Sequence, residues 1–133
     1  CSVKYRKVGM TGITAVLIGF LITNVVLKNA VARIRPYEVV EGLMLIGRKA
    51  TDWSFPSGHS TCSMAAGIVL LKKMPEQAGI PLFVLAVFIC YSRLYIGIHY
   101  PSDVLGGILI GTFAAFSALY IMKRKDKREI SQT

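Results

Sequence analysis

The stretch VGMTGITAVLIGFLITNVVL, residues 8–27, runs for 20 residues between Lys7 and Lys28 without a charged side chain. A helix rises about 1.5 Å per residue, so this block covers about 30 Å, the thickness of a bilayer's hydrocarbon core. Its apolar residues come as a continuous run, not in the alternation of a half-buried strand. The stretch reads as a membrane-spanning helix, and it sets the fold class.

Three further apolar blocks follow. PSGHSTCSMAAGIVLL (56–71) carries only His59, Ala78–Ile98 is interrupted only by Arg93, and VLGGILIGTFAAFSALYIM (104–122) is again free of charge. In the last block Gly107 and Gly111 form a small-xxx-small pair suited to close helix packing. The 133 residues are 53% hydrophobic, with a mean hydropathy of +0.54. No repeat or low-complexity linker divides them. The sequence therefore predicts an all-α integral-membrane helical bundle, one domain over 1–133, with four spanning helices.

The formal net charge is +9, and its placement decides what it means. Lys4, Arg6, Lys7, Lys72, Lys73, Lys123, Arg124, Lys125, Lys127 and Arg128 all fall on one side if the first helix runs outward. That is the distribution of cytoplasmic loops, and it argues against nucleic acid as the partner. Lys28, Arg33, Arg35, Arg48, Lys49 and Arg93 are left on the other side. Topology does not favour them there, so they call for a local role. Tyr37, Trp53, Phe55, Tyr95 and Tyr100 gather at the same ends as an interfacial aromatic belt. The segment YEVVEGLMLIG (37–47) is too short to span and reads as an interfacial amphipathic helix. Of the three cysteines, Cys62 and Cys90 sit in apolar blocks and read as packing residues. The chain starts at Cys1, not methionine, which reads as a fragment or a processed product.

Three segments meet at the outer ends of these helices: KNAVARIRP (28–36), PSGH (56–59) and SRLYIGIHYPSD (92–103). Together they supply cations, two histidines and a carboxylate, a set suited to phosphoryl transfer, where catalysis is mostly positioning and neutralisation of charge. Lys28, Arg35 and Arg93 supply positive charge, the arginines in bidentate fashion. Pro56 and Pro101 read as helix openers. Ser57 and Gly58 open a helix whose free N–H groups favour an anion. Asp103 lies four residues after His99 and can fix its tautomer, leaving the other ring nitrogen to attack phosphorus. His59 has no acidic neighbour in sequence and suits protonation of the leaving oxygen. The cations disfavour a metal ion at this point, so no metal and no cofactor is expected.

These residues resemble a known signature. Lys28 with Arg35-Pro36, then Pro56-Ser57-Gly58-His59, then Ser92-Arg93 with His99 and Asp103 match in order and spacing the three motifs of the type 2 phosphatidic acid phosphatase family, which also includes vanadium-dependent haloperoxidases. The resemblance implies a metal-independent phosphatase: Lys28, Arg35, Ser57, Gly58 and Arg93 bind phosphate, His99 forms a phosphohistidine, Asp103 supports it, and His59 protonates the leaving group. It implies a membrane lipid phosphate as substrate, either undecaprenyl diphosphate, phosphatidylglycerol phosphate or phosphatidic acid. Because the ten basic residues mark the cytoplasmic side, the site is expected on the extracytoplasmic face of the cell membrane, with the C-terminal tail cytoplasmic. A haloperoxidase-like use of vanadate and an inactive anion-binding membrane protein are the alternatives. Membrane members of the family have six spanning helices, so the four predicted here would be the last four, with an N-terminal portion lacking.

Overall fold

The computed structural model describes residues 3–131; Cys1, and the reading of a processed terminus with it, lies outside them. No strand occurs among the described residues. The order is α1 (Val3–Phe20), a π-helical segment (Leu21–Leu27), α2 (Lys28–Val31), α3 (Pro36–Val39), α4 (Gly58–Lys73), α5 (Glu76–Tyr95) and α6 (Pro101–Ile130).

Among the described residues, three stretches are long and apolar enough to cross a membrane: Tyr5–Val39, Glu76–Tyr95 and Pro101–Arg128. The sequence predicts four. The remaining block forms α4, which has only 16 residues and a length of about 24 Å. This shorter helix is the centre of the bundle, packed against α1, α5 and α6. Its buried face combines Met64, Ala65, Ile68 and Val69 with Ser60 and Thr61, and its 16 residues fall short of the roughly 20 that cross a bilayer. The outer faces of the other helices carry exposed Leu17, Leu85, Phe88, Leu109, Phe113 and Phe116. Such an apolar exterior is costly in water and natural in hydrocarbon. The chain is an integral membrane protein.

Small residues set how closely the helices approach. Ala15, Ala65, Ala86, Ala114, Ala115 and Ala118 are fully or nearly fully buried, as expected where helices pack without a hydrophobic drive from water. The Gly107 and Gly111 pair lies where α6 crosses α4. A Cβ at Gly107 would stand 2.6 Å from the Ser57 carbonyl oxygen, and one at Gly111 2.4 Å from that of Thr61. This contact fixes the start of α4 against α6.

At one end of the bundle Lys7 Nζ donates to Asp126 Oδ1 at 2.6 Å. Lys73 lines the same small cavity as these two residues, so the basic ends of α1, α4 and α6 lie together. The three motif segments lie at the other end.

Two local features differ from the sequence reading. Of the proposed interfacial helix over 37–47 only the first three residues are helical, as part of α3. Gly42 and Gly47 have φ of +78° and +114°, left-handed conformations that end a helix. The chain instead folds over the α5–α6 turn, where the Ile46 N–H donates to the Ile96 carbonyl at 3.2 Å. Pro56 also does not open α4: Ser57 is its N-cap and Gly58 its first residue, whereas Pro101 begins α6 as expected.

Candidate active site

Lys28 follows directly on the π-helical segment. In an α-helix residues five apart differ by about 140° around the axis; i→i+5 bonding winds more residues into the turn and brings such a pair onto one face. The Lys28 N–H donates to the Thr23 carbonyl in this way, and both residues are buried. Thr23 Oγ1 donates to Thr61 Oγ1 of α4 at 3.0 Å, which pins the wide turn to the central helix. Lys28 thus points inward from a helix whose neighbouring residues face outward.

Arg35 is placed by the proline after it. A residue before proline is driven to extended backbone, and Arg35 adopts φ −76° and ψ 150°. Its guanidinium turns into the bundle. Nε donates to the Asp52 carbonyl at 2.9 Å, NH1 to the Ile98 carbonyl at 3.0 Å, and NH2 to Asp52 Oδ1 at 2.6 Å. NH1 also lies 3.5 Å from His99 Nε2.

His99 sits in the turn between α5 and α6 and is 6% exposed. Its Nδ1 lies 3.5 Å from Asp103 Oδ2. That is an electrostatic approach longer than a formed hydrogen bond, and the buried Nδ1 has no other partner. Burial pushes the imidazole's pKa below its ordinary value. The Asp103 carboxylate opposes this, and the charges of Arg35 and Lys28 reinforce it. The ring is therefore neutral near pH 7, the form a nucleophile needs.

Asp103 is fully buried and held from several sides. Its Oδ2 accepts from Ser54 Oγ at 2.5 Å and from the Tyr100 N–H at 2.9 Å, while Oδ1 accepts from Arg33 NH1 at 2.8 Å. The Tyr100 bond closes the start of α6 as a capping contact. One carboxylate thus both caps the helix and faces His99.

A cavity of about 410 Å³ collects Lys28, Arg35, Gly58, His59, Arg93 and His99 in its wall, together with Asn24, Asp52 and Cys62. Its wall is drawn from the π-helical segment, the start of α4, the end of α5 and the α5–α6 turn. The structure therefore brings six of the eight residues predicted from sequence into one wall, with Asp103 directly behind His99. Ser57 is placed differently. Its hydroxyl is buried and accepts from the Ser60 N–H at 3.4 Å and from Ser60 Oγ at 3.0 Å; its own N–H donates to the Asp103 carbonyl at 3.0 Å. Ser57 caps α4 and does not line the cavity, because its N–H is engaged in joining α4 to α6 and its hydroxyl is engaged with Ser60 inside α4. Among the described residues no three His, Cys, Asp or Glu side chains converge as a metal site.

Sequence reasoning missed three contributors. Arg33 stacks on Tyr100, 3.8 Å from the ring centre, and neutralises Asp103. Ser54 supplies a second donor to that carboxylate. Asp52 pairs with both Lys28 and Arg35. Only Arg33 left a signal, as a basic residue on the side where topology does not favour one. The aromatic belt is likewise partly turned inward: Tyr37 Oη donates to the Ala50 carbonyl at 3.3 Å, while Trp53 and Tyr95 remain exposed.

The profile of the PAP2 superfamily matches residues 9–127. The chain belongs to the PAP2 superfamily. It is 33% identical over 129 residues to an undecaprenyl-diphosphatase of Sulfolobus acidocaldarius, an alignment covering 97% of this chain and 62% of that protein. Among solved structures, LpxE of Aquifex aeolicus superposes with a TM-score of 0.75 at 27% identity, over 86% of this chain and 68% of the other. The PAP2-type phosphatidylglycerolphosphate phosphatase of Bacillus subtilis superposes with a TM-score of 0.68 at 28% identity, over 90% of this chain and 59% of the other. The chain thus spans about three-fifths of the Sulfolobus relative's length. In this PAP2 chain the matched region contains every residue of the cavity wall.

Proposed function

We propose that this protein hydrolyses the phosphate of a membrane lipid, without a metal, through a phosphohistidine on His99. The observation that carries the reading is the position of His99. One ring nitrogen faces a buried, neutralised carboxylate, and the other faces Arg35 in a cavity that also holds Lys28 and Arg93.

In the proposed reaction the substrate phosphate lies among Lys28, Arg35, Arg93 and the first N–H groups of α4. His99 Nε2 attacks phosphorus and the bond to the leaving oxygen breaks. His59 gives that oxygen a proton. A water then attacks the phosphohistidine, passing a proton to His59, and the P–N bond breaks to release inorganic phosphate. Asp103 stabilises the imidazolium character that His99 gains between the two steps.

The substrate class rests on the relatives' names and on the apolar exterior. Undecaprenyl diphosphate, phosphatidylglycerol phosphate and phosphatidic acid all join a phosphate at the cavity to a chain in hydrocarbon. We place the whole chain in one domain, with α4 as a fourth crossing inside a bundle of the six-helix type. The cavity then faces the extracytoplasmic side of the cell membrane and the α6 tail the cytoplasm, because ten of the sixteen basic residues sit at the opposite end.

The test is phosphate release from a panel of these lipids by the reconstituted protein in EDTA, beside His99→Ala. Release is expected to survive chelation and to vanish in the variant. A requirement for added divalent metal would overturn the mechanism.

A further inference from the structure

Two cations of the proposed phosphate cradle already hold an anion. The Asp52 carboxylate bridges them, with Oδ2 on Lys28 Nζ and Oδ1 on Arg35 NH2, the latter at 2.6 Å. Its two oxygens make the same pair of charge-assisted contacts that two non-bridging phosphate oxygens would make. Asp52 lines the cavity beside His59 and His99. Arg93 differs: it bonds to Ser92 Oγ at 3.0 Å and has no carboxylate partner among the described residues.

The three partners are not equally fixed. The Lys28 and Arg35 side chains are 7% and 5% exposed, whereas that of Asp52 is 50% exposed. Asp52 stands on a bend between α3 and α4, outside any helix. Its carboxylate can turn into water and be hydrated there, which the fully buried Asp103 cannot do. Arg35 is also anchored to backbone carbonyls of Asp52, Trp53 and Ile98, so it keeps its place when the carboxylate leaves. Lys28 and Arg35 without any anion would be two desolvated like charges side by side, an expensive arrangement.

We infer that Asp52 is a resident counter-ion of the empty site, exchanged for the phosphate of the bound substrate and returning as inorganic phosphate leaves. The inference rests on the proposed phosphatase reading. A phosphate dianion brings more charge to Lys28, Arg35 and Arg93 than one carboxylate does, so the exchange runs forward on binding. The same competition acts against the product. Asp52 therefore weakens ground-state binding of any phosphate and speeds clearance of the site, while the empty cradle stays neutralised.

A fixed support for Lys28 and Arg35 would have the opposite signature, since its removal would loosen the cradle. The experiment is equilibrium binding of inorganic phosphate to the full-length protein in detergent, comparing wild type with Asp52→Asn and Asp52→Ala. KM for a lipid phosphate is measured in parallel, and thermal unfolding checks that each variant folds. Both variants are expected to bind phosphate about tenfold more tightly, with KM lowered in step. Equal or weaker binding in folded variants, while wild type still hydrolyses lipid phosphate, overturns the role of Asp52 alone. A wild type that neither binds phosphate nor releases it overturns the phosphatase reading and this inference with it.

Discussion

Arg33 NH1 stands 2.8 Å from Asp103 Oδ1, so the carboxylate behind His99 is neutralised from the side away from the cavity. Asp103 has no exposed surface, while the Arg33 side chain is 36% exposed and rests on Tyr100. The arginine makes it possible to keep a charged carboxylate buried beside a neutral imidazole. Arg33→Ala is expected to cost about 1–3 kcal/mol, the usual penalty for stranding a buried acceptor. Thermal unfolding in detergent checks this. Arg33→Lys should recover part of the loss, since a lysine restores the charge but not the stacking on Tyr100.

His59 and His99 separate by the leaving group they serve. If His59 protonates the leaving oxygen, His59→Ala should lower kcat on a lipid phosphate by about 10²–10⁴. On p-nitrophenyl phosphate, whose leaving group needs no proton, the first-step burst of p-nitrophenolate should be far less affected. Turnover still slows, because His59 also takes the proton of the attacking water. His99→Ala should abolish turnover of both substrates. An equally large loss of the p-nitrophenolate burst rate in His59→Ala would remove the general-acid role.

The pH dependence follows from His99. Its pKa is lowered from 6.5, with burial as the largest cause. Protonation removes the nucleophilic lone pair, so activity is lost as pH falls through the lowered pKa, and the acid limb lies below 6.5. Asp103 acts in the opposite direction, favouring the charged ring. Asp103→Asn should therefore move the His99 midpoint to still lower pH while also depressing kcat. An NMR titration of labelled histidine in the absence of phosphate reads the midpoint without interference from the substrate's own ionisation.

Much of this site is legible in sequence because its residues are tied to local rules. Arg35 is extended because Pro36 follows it, Pro101 opens α6, and Asp103 caps the helix that carries it. The spacing of these residues survives folding unchanged. What is not legible depends on partners far apart in the chain. Arg33 meets Asp103 across 70 positions, and Asp52 meets Lys28 across 24, with no periodicity to announce either pair. The π-helical turn before Lys28 is equally silent, since an apolar run reads the same in either winding. The length of α4 and the inward turn of Ser57 follow from its central place between α1, α5 and α6, which one sequence does not display. The glycines of the 37–47 segment stand in the sequence, but their positive φ belongs to the fold of that segment over the α5–α6 turn, which residue type alone does not display.

The glycines of α6 give a last, paired expectation. Gly111 lies against α4 with no room for a side chain: a Cβ would meet the Thr61 carbonyl oxygen at 2.4 Å and Met64 Cβ at 3.0 Å. Backbone cannot yield as a flexible side chain does, so Gly111→Ala must push α6 away from α4. Overpacking of this kind costs about 1–3 kcal/mol. It should also cost activity, because the same contact line joins Ser57 to Asp103 and so sets His59 against His99. Gly12 in α1 has nothing within 4 Å of its would-be Cβ. There alanine removes only the entropic cost of glycine in a helix, worth up to about 1 kcal/mol. Gly12→Ala should hold or raise the thermal midpoint and leave phosphate release intact, while Gly111→Ala lowers both. Equal behaviour of the two variants would mean that the α4–α6 contact does not control the geometry of the cavity.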